Sequence, residues 1–112
     1  MTDQDFLNNA EKVLLNIETT CDKINDQGDV DIDNSRQGNA ITLLFSNGSQ
    51  IIINLQKPVQ EIWLAAQAGG YHFHFTEEGN WQEAREGREF YSTLSEFATQ
   101  QAGVSVLFCA LS

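Results

Sequence analysis

The sequence has few basic residues, and this limits the partners that the protein can have. Only 6 Lys and Arg stand against 16 Asp and Glu in 112 residues, which gives a formal net charge of −10. Nucleic acids and anionic membrane surfaces attract basic proteins and repel a chain of this charge. The composition therefore argues against both and favours cations or basic proteins as partners.

Cysteine is also scarce, and long apolar runs are absent. The 2 cysteines, Cys21 and Cys109, are far apart and form no CxxC pair, so a zinc ribbon or a disulfide framework is not expected. No apolar run approaches the roughly 18 residues of a membrane-spanning helix. The first residues, MTDQDF, lack a signal or transit pattern. We therefore expect a cytoplasmic protein without a membrane segment.

The sequence patterns of common enzymes are missing as well. There is no GxSxG elbow, no glycine-rich phosphate loop and no cysteine in an activating context. With 41% hydrophobic and 20% charged residues, the composition is that of an ordinary globular protein. We therefore predict one non-enzymatic domain over residues 1–112, without catalytic residues. A monomer is our expectation, although the sequence itself does not give the oligomeric state.

What is present begins with an amphipathic helix. Apolar residues recur at spacings of three and four from Phe6 to Ile24 and form one stripe, which includes Cys21. Because Cys21 lies in this stripe, we expect a buried structural thiol. A second amphipathic pattern begins at Phe90 and stops at Gly103, a typical helix end.

Between the two helices the pattern is that of strands joined by short turns. DVDID (residues 29–33) alternates acidic and apolar side chains, and Asn47-Gly48 separates two β-rich runs, which predicts a hairpin. Strand patterns follow at EIWLA, at YHFHF and over residues 81–85, and the tail VSVLFCA favours a strand or an extended segment. The order predicts an α+β two-layer sandwich, with two helices packed on one face of an antiparallel β-sheet.

Acidic residues are concentrated in the N-terminal third. Residues 1–33 contain nine of the 16, and five of them lie in the segment DKINDQGDVDIDN, residues 22–34. The cluster has a helical part and a strand part, namely Glu11, Glu18 and Asp22 on one stripe and Asp29, Asp31 and Asp33 on one strand face. Clustered carboxylates attract hard cations. Three interpretations stay open, which are a solvated surface, a weak cation site and a docking face for a basic partner.

The other face of the predicted sheet is nearly uncharged. If Ile51, Ile53 and Leu55 point at the helices, then alternation directs a second set of side chains away from them. This outward set comprises Ile52, Asn54, Gln56, Trp63, His72 and His74. An exposed Trp63 among neutral polar groups is typical of an interaction hot spot, and the alternative is that its neighbours half cover it or that it belongs to the core. Two imidazoles alone indicate surface histidines more than a metal pair.

The segment QIIINLQKPVQEIWLAAQAGGYHF, residues 50–73, resembles the frataxin family. The likeness extends over almost the whole chain. It includes the acidic N-terminal helix and first strand, the FSNGSQIIIN hairpin, Trp81, Arg85, Gly87 and a second helix ending in ATQQAG. Glu61 departs from the family pattern, because relatives often have Gln there.

The resemblance implies a small α-β sandwich that binds iron, as Fe²⁺ or Fe³⁺, weakly on an acidic ridge. It also implies a role in iron–sulfur cluster assembly, with a cysteine desulfurase and the cluster scaffold protein as partners, as a regulator or an iron donor. The resemblance assigns the acidic ridge to seven carboxylates, Glu11, Glu18, Asp22, Asp26, Asp29, Asp31 and Asp33. It assigns the partner-binding surface to Asn54, Gln56 and Trp63.

Two other functions stay open at this point. The first is an acidic adaptor that binds proteins and has no specific metal role. The second is a ferroxidase or iron-storage activity, which needs an oxidation site that the sequence does not display.

Overall fold

The computed structural model describes residues 1–28 and 30–110. They form two α-helices and a six-stranded antiparallel sheet in the order β1-β2-β3-β4-β5-β6. The helices are α1 (Asp3–Gln27) and α2 (Phe90–Ala102), and the strands are β1 (Ile32–Gln37), β2 (Ala40–Phe45), β3 (Gln50–Gln56), β4 (Glu61–Ala66), β5 (Gly69–Phe75) and β6 (Trp81–Glu83). The predicted α+β two-layer sandwich is confirmed.

Local chemistry sets both ends of α1. The Thr2 side chain accepts the Asp5 N–H at 3.0 Å, and the Asp5 carboxylate accepts the Thr2 N–H at 3.3 Å, so the two residues form a capping box. At the other end, Gly28 has a φ of 81°, which favours glycine, and its N–H is donated to the Asn25 carbonyl. The apolar stripe that begins at Phe6 is buried, as predicted.

The first strand differs from its prediction. The alternation predicts a strand over residues 29–33, but β1 begins at Ile32 and continues to Gln37. Residues 34–37 lack apolar alternation, so their antiparallel backbone pairing with β2 holds them in the strand, and side-chain pattern gives no signal for it. Because side chains alternate, Arg36 lies on the same side of β1 as the buried Ile32, which is the side that faces α1.

The last strand is shorter than predicted. It ends at Glu83, two residues before the expected end at Arg85. The buried Glu83 carboxylate accepts the backbone N–H groups of Arg85, at 3.2 Å, and of Glu86. These contacts turn the chain away from the sheet.

Both helices bury their apolar stripes on one side of the sheet. Aromatic edge contacts join the layers, since Phe73 of β5 meets Phe90 of α2 at a centroid distance of 5.2 Å and Phe6 of α1 meets Trp81 of β6 at 5.9 Å. Such pairs add about 0.5–1.5 kcal/mol each beyond burial. Within the described residues, the other side of the sheet has no covering helix, and no helix is long and apolar enough to span a membrane.

The described part of the tail packs as an extended segment along α2, the second of its two predicted alternatives. Ser95 accepts the Phe108 N–H at 2.8 Å and donates its hydroxyl to the Phe108 carbonyl at 3.1 Å. Thr99 makes the same pair of contacts with Val106, at 2.9 and 3.1 Å. Val106 and Phe108 are thereby held in the core.

Candidate metal ridge and partner-binding face

The acidic ridge follows α1 and the start of β1. Glu18 is half-buried. Five other members are exposed, namely Glu11, Asp22, Asp26, Asp31 and Asp33. Asp31 precedes the strand, and Asp33 points to the outer side of β1. Asp29, which was predicted with them, lies outside the described residues. The helical and strand parts of the prediction are therefore neighbours, since Asn34 of β1 contacts Asp22 of α1, but Asp33 points away from α1.

Arg36 joins two of the predicted ridge carboxylates. Its guanidinium donates to Glu18 Oε1 at 3.1 Å through Nη1 and to Glu11 Oε1 through Nη2. The hydrogen bond to Glu11, followed by the Glu11 charge and the contacts with Glu18, raises the pKa of Arg36 against the opposing effect of burial. The sequence did not predict this contact, because the part of β1 that carries Arg36 toward α1 was not predicted.

The pairing with Arg36 changes the electrostatics of the ridge. Glu11 and Glu18 share a guanidinium, whereas Asp22 contacts only the amide of Asn34, at 3.4 Å, among the ridge contacts that the structure describes. In residues 1–28 and 30–110, no three His, Cys, Asp or Glu side chains are grouped closely enough to hold a metal ion. The ridge is thus a spread of carboxylates that is partly neutralised at its Glu11 end.

A buried thiol lies beneath the ridge. Cys21 has no exposed surface. Burial, reinforced by the negative charges of Asp22 and Glu18, raises its pKa to about 12. The thiolate is therefore nearly absent at neutral pH, and the prediction of a structural cysteine is confirmed.

The outward set of side chains predicted from alternation lies on the uncovered side of the sheet. Asn54, Gln56 and Trp63 are half-buried and Ile52 is 39% exposed. Ile53, which lies between Ile52 and Asn54 on β3, is fully buried and points to the opposite side. The predicted facing of these side chains is confirmed. Asn54 of β3 lies directly opposite Trp63 of β4.

The indole of Trp63 is held by two contacts. It stacks on the imidazole of His72, which lies opposite it on β5, with ring centroids 4.1 Å apart and planes at 7°. Its Nε1–H donates to Glu61 Oε1 at 2.9 Å, and His72 Nδ1 lies 3.8 Å from the same oxygen. Trp63 is therefore half covered by neighbours on its own face of the sheet, and it is not a core residue; its exposed part stays accessible, so the hot-spot interpretation remains a prediction.

The two histidines have different surroundings. Both are exposed, as predicted, but only His72 stacks on an aromatic ring within the described residues. His74 lies opposite Glu61 in the β4–β5 register. The sequence predicted both histidines on this face. It did not predict the contact of His72 with Trp63, or that Glu61 accepts the hydrogen bond of the Trp63 indole.

A cavity of about 630 Å³ lies elsewhere, between α1, α2 and the tail. Its walls include Lys12, Tyr91, Phe108 and Cys109, and no predicted ridge or partner-face residue. This cavity is therefore separate from both predicted sites.

Comparison with known proteins agrees with this architecture. A family model described as "Frataxin-like domain" matches residues 1–104. The chain is 55% identical, over 98% of its length and 94% of the relative, to a protein of Polaromonas sp. (strain JS666 / ATCC BAA-500) named "Iron-sulfur cluster assembly protein CyaY". It is 50% identical to the protein of the same name from Delftia acidovorans, over 98% of this chain and 99% of the relative.

Solved structures of relatives share the fold. Frataxin from Psychromonas ingrahamii, of the CyaY protein family, superposes with a TM-score of 0.84 at 31% identity, over 97% of this chain and 99% of that one. A trimeric yeast frataxin complexed with ferrous iron superposes at 0.72, over 85% and 86% of the two chains, and its 23% identity supports the fold alone. On the family match and the relatives together, the chain belongs to the frataxin-like family.

Proposed function

We propose that the protein acts in iron–sulfur cluster assembly, the role that the names of its relatives state. In this proposal, residues 1–112 work in the cytoplasm as one non-catalytic domain that binds iron weakly and regulates the cysteine desulfurase and scaffold machinery. The observation that carries the proposal is the uncovered sheet face with Trp63 at its centre. Tryptophan is a frequent centre of binding energy in protein interfaces.

The acidic ridge supplies the second element of the proposal. Carboxylates are suitable ligands for ferrous iron, and a yeast relative by fold is described as complexed with ferrous iron. Asp22, Asp26, Asp31 and Asp33 form no ion pair among the described residues, which leaves them open to a cation or to a basic patch. Weak binding follows, because separated carboxylates attract a cation without fixing its geometry.

A second candidate is an acidic adaptor without a metal role. The Arg36 contacts favour it, since an arginine already occupies Glu11 and Glu18 in the way that a basic partner would occupy the other acids. The two candidates differ in their response to iron, and they agree on docking through the sheet face.

The first test measures docking by calorimetry against the purified cysteine desulfurase–scaffold complex. We expect W63A to weaken binding at least 30-fold, the loss typical of a hot-spot residue. The double reversal D31K/D33K should also weaken binding, and more so at low salt, because ridge attraction is screened. E77K/E78K makes the same change of charge on the exposed β5–β6 turn and is the matched control. If W63A and D31K/D33K both bind as the wild type does, the proposal is wrong.

The second test separates the two candidates. Fe²⁺ is titrated anaerobically into ¹⁵N-labelled protein, with Ca²⁺ as the control ion. Broadening confined to residues 11–33 with iron supports the iron-binding role. The same footprint with both ions, or no localised change with either, supports the adaptor.

A further inference from the structure

We infer that Glu61 and His72 are positioning residues that hold the Trp63 indole in the orientation in which it meets the partner. This inference rests on the proposed function, because it deepens the role of the same face. Its basis is the three-group contact in which Glu61 fixes the indole N–H and His72 supports the ring.

The two contacts restrict different motions of the indole. The hydrogen bond from Nε1 to Glu61 Oε1, at 2.9 Å, fixes the rotation of the ring about its side-chain bonds. The parallel stack on His72, at 4.1 Å, supports one flat side of the ring. Since residues 61 and 63 lie two apart on β4 and His72 lies opposite Trp63, the strand pairing itself brings the three groups together.

The orientation matters because binding normally has to immobilise an exposed side chain. The entropic cost of ordering one rotamer-rich side chain corresponds to a loss of about 3- to 10-fold in affinity. A tryptophan that is ordered before the encounter avoids this loss. Glu61 and His72 should therefore raise affinity even where they do not touch the partner.

The chain offers matched variants for each contact. E61Q keeps a side-chain oxygen that accepts the indole N–H and removes only the charge, whereas E61L removes the acceptor. H72Y keeps an aromatic ring for the stack, whereas H72A removes it. H74A is the control, because His74 is exposed on the same strand and face.

The free protein provides the first measurement, which needs no partner. In NMR spectra of the full chain, the His72 ring protons should be shifted upfield of those of His74, because they lie over the indole. The Trp63 indole N–H should exchange slowly in the wild type and in E61Q, and at least 5-fold faster in E61L, with the buried Trp81 as internal reference. Equal His72 and His74 shifts, with indole exchange unchanged in E61L, would overturn the inference.

The second measurement is affinity for the cysteine desulfurase–scaffold complex. E61L and H72A should each weaken binding about 3- to 10-fold, while E61Q, H72Y and H74A stay within twofold of the wild type. If W63A weakens binding but E61L and H72A do not, the positioning role is wrong and the docking face stands. If W63A itself has no effect, the docking face is wrong, and the partner role of Glu61 and His72 is refuted with it. Only variants whose melting temperature lies within about 3 °C of the wild type are compared, so that a loss of affinity cannot come from partial unfolding.

Discussion

Arg36 should stabilise the fold by a measurable and salt-sensitive amount. Its pair with Glu18 is partly protected, since the two side chains are 28% and 29% exposed, and its pair with Glu11 is more open, since that side chain is 52% exposed. Exposed pairs contribute about 0.2–1 kcal/mol each. We therefore expect R36Q to lower the free energy of unfolding by about 1 kcal/mol at low salt, and the melting temperature by about 4–5 °C.

The assay is urea unfolding of R36Q and wild type in 20 mM and 1 M NaCl. At 1 M salt the Debye length is about 3 Å, so the difference between the two proteins should fall to less than half. K23Q removes the same charge from α1, where Lys23 has no ion pair among the described residues, and it should stay within about 0.5 kcal/mol of the wild type. If R36Q lowers the free energy of unfolding no more than K23Q does, or if the loss in R36Q is the same at both salt concentrations, the Arg36 ion pairs do not stabilise the fold.

The same substitution bears on cation binding. R36Q frees Glu11 and Glu18 and raises the net negative charge of the ridge, so a divalent cation should stabilise R36Q more than it stabilises the wild type. If the gain in melting temperature with the cation is the same in both proteins, Arg36 does not compete with cations for these carboxylates.

Three further results follow from buried polar groups. Ellman's reagent at pH 8 should modify Cys109 quickly and Cys21 only on unfolding, because Cys109 is exposed and the pKa of Cys21 is raised to about 12. Q101L should lower the free energy of unfolding by about 1–3 kcal/mol, because the buried Gln101 amide accepts the Gln67 N–H and donates to the Ser49 hydroxyl. Q100L, at an exposed position of the same helix, is the control. The pKa of Glu83 is lowered, because backbone N–H groups outweigh the effect of its burial, so E83Q should lower the melting temperature at pH 7. That difference should shrink below about pH 4.3, the ordinary pKa of Glu, as the wild-type carboxylate is protonated.

The sequence predicted the elements whose burial follows a regular period. The stripe of α1 and the facing of β3, β4 and β5 were correct, because each buries one side against the core and leaves the other side at least partly exposed. β1 was misplaced because it is an edge strand whose later residues pack few apolar groups, so its pairing partner and not its composition defines it.

Most of the contacts that were missed in the candidate site join residues that are distant in sequence. Arg36 and Glu11 are 25 positions apart, and they meet because β1 places the guanidinium beside α1. The contact of Trp63 with Glu61 is local, and its two-residue spacing on a strand would have indicated a shared face. The stack with His72 needed the β4–β5 register, which alternation alone does not fix.

The ridge and the docking face lie at different places on the sheet, and this decides how they act on each other. The ridge follows α1 and the edge strand β1, whereas Trp63 stands on β4, three strands further in. At a strand spacing of about 4.8 Å this is a separation of roughly 14 Å, longer than the Debye length of about 8 Å at physiological ionic strength. The ridge charge therefore acts weakly at Trp63. If the two proposed sites are both used, we expect that a cation on the ridge and a protein on the sheet face can be bound at once, and that cation occupancy tunes contacts made by the ridge and leaves those made by Trp63 largely unchanged.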